Sequence, residues 1–93
     1  MKELTKSQQT RLEAHGFRPH VNMLGYNCHE LNDLKRHKFL TVGKVKNDKK
    51  FLYYVVYTVG YATLINIRFD HFEAAFSFVK VIKHYHWFDR GTK

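Results

Sequence analysis

Residues 39–69 decide the fold, and they read FLTVGKVKNDKKFLYYVVYTVGYATLINIRF. The stretch divides into three runs rich in β-branched and aromatic residues, about 39–46, 51–59 and 61–69, and this composition is typical of strands. Asn47-Asp48 suits a type I′ turn between the first two runs, and Gly60 suits the first central position of a type II′ turn between the last two. Strands joined by turns this short are antiparallel neighbours, so the sequence predicts a three-stranded antiparallel meander.

The segment after the meander predicts a C-terminal helix over about 71–86, because apolar residues recur along it at helical spacing. Asp70, three residues before Glu73, predicts an acidic cap. A second apolar stripe lies beside the first, so the helix needs cover on more than one side. Residues 17–34 are one candidate cover. The other is a second copy of the chain, in a homodimer with contacts from Phe78, Val81, Tyr85 and Trp87.

The N-terminal part predicts a short helix over about 5–15. Thr5 or Ser7 is a suitable N-cap, and Gly16 suits a left-handed stop.

The next region is less regular. Asn27 followed by Glu30 has the spacing of a capping box, which favours a second short helix over about 28–36. Together these elements predict an α+β fold in a single small domain, residues 1–93.

Composition limits the class of protein further. Hydrophobic residues make up 44% of the chain, enough for a core. One cysteine, Cys28, excludes an internal disulfide, and the first residues lack the apolar core of a signal peptide, so we expect a cytoplasmic protein. Residues 51–67 carry no charge but fall short of the ~20 apolar residues of a spanning helix, so we expect no membrane contact. Zinc ligands usually come as paired Cys and His knuckles, which the chain lacks, so neither a metal nor a cofactor is expected.

The basic residues are unevenly distributed. Seven of the sixteen Lys and Arg residues fall within residues 35–50, together with one acid, Asp48, whereas the whole chain carries +8. So concentrated a field attracts nucleic acid or an acidic protein surface.

The predicted turns also assign the strand faces. One face collects mainly apolar residues and is expected to lie under the C-terminal helix: Phe39, Thr41, Val45, Leu52, Tyr54, Val56, Thr63, Ile65, Ile67 and Phe69. The other mixes cations with aromatic rings: Lys44, Lys46, Lys49, Arg68, Phe51, Tyr53, Val55, Tyr57, Leu64 and Asn66. Such a surface is typical of single-stranded nucleic-acid platforms. Lysines at a hairpin end also serve solubility, and that alternative stays open.

The sequence therefore predicts a protein that binds nucleic acid without catalysis. The expected binding residues are Lys35, Arg36, Lys38, Lys44, Lys46, Lys49, Lys50, Tyr53, Tyr57 and Arg68. One alternative is an accessory or inhibitor protein of a mobile element that binds an acidic protein partner. A third is a ribonuclease-like toxin that uses His37 or another histidine, although no catalytic motif is present.

Overall fold

The computed structural model describes residues 3–22 and 25–88, with backbone alone at residues 47 and 86–88. The elements follow in the order α1 (Lys6–Glu13), β1 (Arg18–Val21), β2 (Asn27–Asp33), β3 (Lys38–Asn47), β4 (Lys50–Val59), β5 (Ala62–Phe69) and α2 (Phe72–Ile82), which continues as a π-helical segment over Lys83–Phe88. The strands form one antiparallel sheet in chain order. The predicted α+β class is confirmed, but the meander has five strands where three were predicted.

Helix α1 begins and ends as its local sequence indicates. Thr5, not Ser7, is the N-cap: its hydroxyl accepts a hydrogen bond from the Gln8 backbone N–H, and the Gln8 side chain accepts one from the Thr5 N–H. This reciprocal pair is a capping box. Gly16, at φ +93°, takes the left-handed conformation that ends the helical segment.

The predicted helix over 28–36 is wrong, because this region forms strand β2. Alternate side chains of β2 lie on opposite faces of the sheet: the register aligns His29 with Val42 and Leu31 with Leu40, while Cys28 lies on the other side. A helix this short is marginal in isolation, whereas β2 pairs with strands on both of its sides. Non-local pairing therefore overrides the capping-box spacing.

Both predicted hairpins exist, with two differences in register. The β3–β4 turn centres on Asp48-Lys49, one residue later than predicted, since Asn47 pairs with Lys50. The β4–β5 turn has the predicted pairing of Val59 with Ala62. A bulge then shifts the β5 register by one residue, which moves the rest of β5 to the opposite face.

The predicted assignment of faces is inverted for β3 and β4. The helices cover one face, here called the helix face, which carries Leu40, Val42, Val55, Tyr57, Ile65 and Phe69. The other face, here called the open face, carries Thr41, Val45, Tyr54, Val56, Asn66 and Arg68. Because β4 is apolar or aromatic on both sides, its alternation could not show which side is buried.

The core joins both helices to the helix face. In α2, the predicted buried residues are Phe72, Phe76, Val79 and Ile82, and all four are buried. Leu12 and Phe17 belong to the same cluster, so the N-terminal region covers part of α2. The predicted acidic cap is wrong: the N-cap is His71, and Asp70 instead pairs with Lys50 at 3.0 Å. Among the described residues, no helix is long and apolar enough to cross a membrane.

Candidate functional site

The structure divides the basic residues of 35–50 between the two ends of β3. Lys35 and Arg36 lie in the turn between β2 and β3, whereas Lys44 to Lys50 lie around the β3–β4 turn. Lys44 lies six residues after Lys38, the first residue of β3, so at ~3.3 Å per residue the two groups are at least about 20 Å apart. The cations that form one cluster in sequence are therefore two separate patches.

The patch around the β3–β4 turn projects beyond the rest of the sheet. The register of β2 with β3 ends at the pair of His29 and Val42, and that of β5 with β4 ends at the pair of Tyr53 and Phe69. The hairpin continues past both as a two-stranded ribbon, in keeping with the 44 × 25 × 19 Å extents of the molecule. We call residues 44–51 the hairpin tip.

The hairpin tip carries four lysines, at positions 44, 46, 49 and 50. The Lys44 ammonium lies 4.5 Å from the Phe51 ring centroid and 6.0 Å from that of Tyr53, which are cation–π distances. Lys50 is engaged by Asp70 in an exposed ion pair. The tip is thus cationic, with an aromatic ring beside its lysines.

Two of the predicted binding residues lie in the interior. Lys38 is 5% exposed and Tyr57 is 2% exposed, so neither side chain offers a surface to a polyanion. Tyr53 is half-buried, and its ring packs edge-on against Phe72 at 5.8 Å. The tyrosines of the predicted platform thus belong to the packing under the helices, because the face assignment was inverted.

The other predicted patch is engaged locally. Arg36 pairs with Asp33 at 2.9 Å, and this hydrogen bond holds the pKa of the Asp33 carboxyl below its ordinary value. His37, the candidate catalytic residue, has a left-handed backbone, and its carbonyl accepts a hydrogen bond from the Gly60 N–H. Lys35 is exposed in the same turn.

The open face carries a row of contacts that the sequence did not predict. Tyr54 lies across Gly43, its partner on β3, where an added Cβ would be 2.2 Å from the ring. Asn22 Nδ2 donates to the Tyr54 hydroxyl at 3.1 Å, and the Cys28 thiol lies beside this hydroxyl. Burial raises the pKa of the Tyr54 hydroxyl and of the Cys28 thiol above their ordinary values. Both groups are therefore neutral near pH 7.

Beside this row lies a shallow depression of about 220 Å³ on the open face. Its lining combines tyrosine rings, amides, cationic residues and valines: Asn22, Tyr26, Lys44, Val45, Tyr54, Val56, Asn66 and Arg68. Lys44 and Val45 belong to the hairpin tip, so the tip and the depression adjoin. Of the predicted binding residues, only Lys44 and Arg68 line it, and the Lys44 ammonium itself lies on the helix face, over the Phe51 ring. The sequence held no signal for Tyr26 or Asn22, because the β1–β2 connection is brought here by pairing distant in sequence.

Neither a search for metal-binding side chains in the described residues nor comparison with known proteins identifies a further site. Within residues 3–22 and 25–88, no group of three or more His, Cys, Asp or Glu side chains could hold a metal ion. Comparison with known proteins finds no matching family model, no matching curated protein and no matching solved structure.

Proposed function

We propose that the protein binds single-stranded nucleic acid, with phosphates at the hairpin tip and a base in the depression on the open face. The observation that carries this proposal is that the two surfaces adjoin at Val45, which belongs to the hairpin tip and also lines the depression on the open face. Lysines neutralise phosphates, and aromatic rings beside them stack on bases, which is the combination that single-strand binders use.

The chemistry of the depression supports a base as the occupant. Tyr26 is 42% exposed and offers a ring for stacking. Asn66 and Arg68 are both exposed on β5. The amide of Asn66 supplies a hydrogen-bond donor and an acceptor, and Arg68 adds a cation at the rim of the depression. Tyr53 and Tyr57 have no part in this proposal, since their rings pack under the helices.

Salt dependence tests the phosphate contacts. Replacing Lys44, Lys46 and Lys49 by Gln removes three tip cations and spares the pair of Lys50 with Asp70. If each contacts a phosphate, the slope of log K against log[salt] should flatten by about 2 to 3 units. Fluorescence anisotropy with a labelled single-stranded oligonucleotide measures this slope.

A matched control changes the net charge equally at other places. Lys6, Lys35 and Lys80 are exposed outside the tip, and their joint replacement by Gln should leave most of the slope intact. If the slope of log K against log[salt] flattens equally in the two triple variants, nucleic acid is attracted by the net charge of the protein and not by a site at the hairpin tip.

The base contact has a different signature. Replacing Tyr26 by Leu should weaken binding to single strands by about 1–3 kcal/mol without changing the slope, because stacking releases no counterions. Absence of any association with DNA or RNA at about 50 mM salt, where phosphate contacts are strongest, would exclude the proposal. The tip would then be assigned to an acidic protein partner.

A further inference from the structure

The two edges of the sheet are protected very differently. Strand β1 has four residues, and its Pro19 interrupts the row of edge hydrogen-bond donors. Strand β5 has eight residues, no proline and a single charge, Arg68. Six of its residues are exposed. Long, nearly uncharged edge strands are templates for pairing with another chain, and natural proteins usually blunt them.

An apolar stripe of α2 lies beside this unprotected edge. The Phe78 ring lies 5.3 Å from the ring of Phe69, the last residue of β5. Val81 and Tyr85 follow Phe78 at helical spacing and are 51% and 60% exposed. Ile67 of β5 pairs with Val55 and so lies on the helix face, yet it is 41% exposed. In the part of the chain that the structure describes, residues 3–22 and 25–88, unpaired strand backbone and uncovered apolar side chains thus occur along the same side of the molecule.

We propose that a second copy of this chain occupies this side, with β5 pairing antiparallel to its own copy about a two-fold axis near Ile67. The occupant must bring both a strand for the edge and an apolar surface for Val81 and Tyr85. A lone extended peptide supplies only the strand, whereas a second copy supplies both. Pairing about an axis perpendicular to the sheet gives a ten-stranded sheet with all helices on one face. The Trp87 side chain, also predicted as a dimer contact, lies outside what the structure describes.

The bulge and the charges set the register of this pairing. Leu64 is the extra residue of the bulge, so regular pairing is confined to residues 65–69. A register centred on Ile67 places Asn66 opposite Arg68 and places Ile67 against its own copy. In this register the two Arg68 side chains are diagonal neighbours across the strand pair. They are like charges, but they are exposed to solvent.

The same symmetry separates the basic hairpin tips. Reversal of the strand direction sends the two tips to opposite ends of the dimer, about 40 Å apart by strand geometry. That distance is several times the Debye length of about 8–10 Å, so the tips do not prevent association. The remaining repulsion between two chains of +8 predicts that association strengthens as salt rises. Nucleic-acid binding has the opposite dependence, so failure of either proposal is distinguishable from failure of the other.

Sedimentation velocity of the full chain and three variants tests the interface. Ile67→Lys and Val81→Lys place a charge in it, whereas Val21→Lys makes the same change at a residue that is 54% exposed on the opposite edge. We expect dimers of the wild type and of Val21→Lys at about 100 µM, well above a micromolar dissociation constant. Ile67→Lys and Val81→Lys should be monomers with unchanged circular dichroism.

A cross-link tests the register independently of those substitutions. Residues directly opposite in an antiparallel pair have Cβ atoms about 4.5–5.5 Å apart, close enough for a disulfide after a small adjustment. Ile67→Cys should therefore form a covalent dimer on oxidation, and Val21→Cys should not. Cys28 is 2% exposed and does not compete. A wild type that stays monomeric at about 100 µM in both low and high salt, or a dimer unaffected by changes at Ile67 and Val81, would overturn the proposal.

Discussion

Replacing Gly43 by Ala tests the row of contacts on the open face most directly. The glycine needs no left-handed backbone, so alanine fits its conformation. The new Cβ, however, would lie 2.2 Å from Cζ and from the hydroxyl oxygen of Tyr54, well inside van der Waals contact. The ring must therefore move away from β3.

The cost of this movement follows from what Tyr54 loses. It gives up the 3.1 Å hydrogen bond from Asn22 and the contact with the Cys28 thiol. Each net hydrogen bond contributes about 0.5–1.5 kcal/mol, and overpacking typically costs about 1–3 kcal/mol. Alanine in place of glycine returns about 0.4–1 kcal/mol through the unfolded chain. We therefore expect Gly43→Ala to lower the free energy of unfolding by about 0.5–4 kcal/mol.

A double-mutant cycle identifies the cause. A Tyr54→Ala background removes the atoms nearest to the new Cβ, so the same alanine should there raise the free energy of unfolding by about 0.4–1 kcal/mol. Urea denaturation of the four proteins, followed by circular dichroism, measures this reversal of sign. If Gly43→Ala destabilises both backgrounds equally, the aromatic cover of Gly43 is not what constrains this position.

Three other outcomes follow from packing and ionisation. Phe76→Ala removes a ring that is 6% exposed and packs edge-on against His15 at 5.3 Å, and it should lower the free energy of unfolding by about 3–5 kcal/mol, as measured by urea denaturation. The hydrogen bond from Arg11 lowers the pKa of the Glu73 carboxyl, so its contribution to stability is complete above the pKa of the unfolded state and disappears as the pH falls through the lower pKa of the folded state. The difference in melting temperature between wild type and Arg11→Gln should therefore be constant near neutral pH and should disappear in acid. A difference that persists in acid would show that ionisation of Glu73 is not its cause. Because Cys28 is buried and the pKa of its thiol is raised, alkylation of the native protein by iodoacetamide should be slow and should accelerate with unfolding, whereas rapid alkylation would contradict its burial.

Local signals were sufficient for most of the elements. The runs that became β3, β4 and β5, the turn at Gly60, the capping box of Thr5 and the apolar period of α2 each depend on neighbours a few residues away. Propensity, turn chemistry and periodicity act over that range, so the amino-acid sequence alone determined these elements.

Only the tertiary structure decided three features: the existence of strand β2, which side of the sheet is buried, and which residues form the candidate site. β2 exists because β1 and β3 pair with it, and a single bulged residue, Leu64, changes which face the end of β5 presents. Lys44 lies on the helix face yet stays accessible, because the hairpin extends past the helices.

The site shows the same division. That the chain is basic and aromatic was evident from its composition, but which cations stand together was not. Lys38 and Lys46 are eight residues apart in sequence, and strand geometry places one in the interior and the other at the projecting tip. Burial and strand pairing arise from contacts between residues far apart in the chain, and a side-chain period of two does not indicate which of two apolar faces the helices will cover.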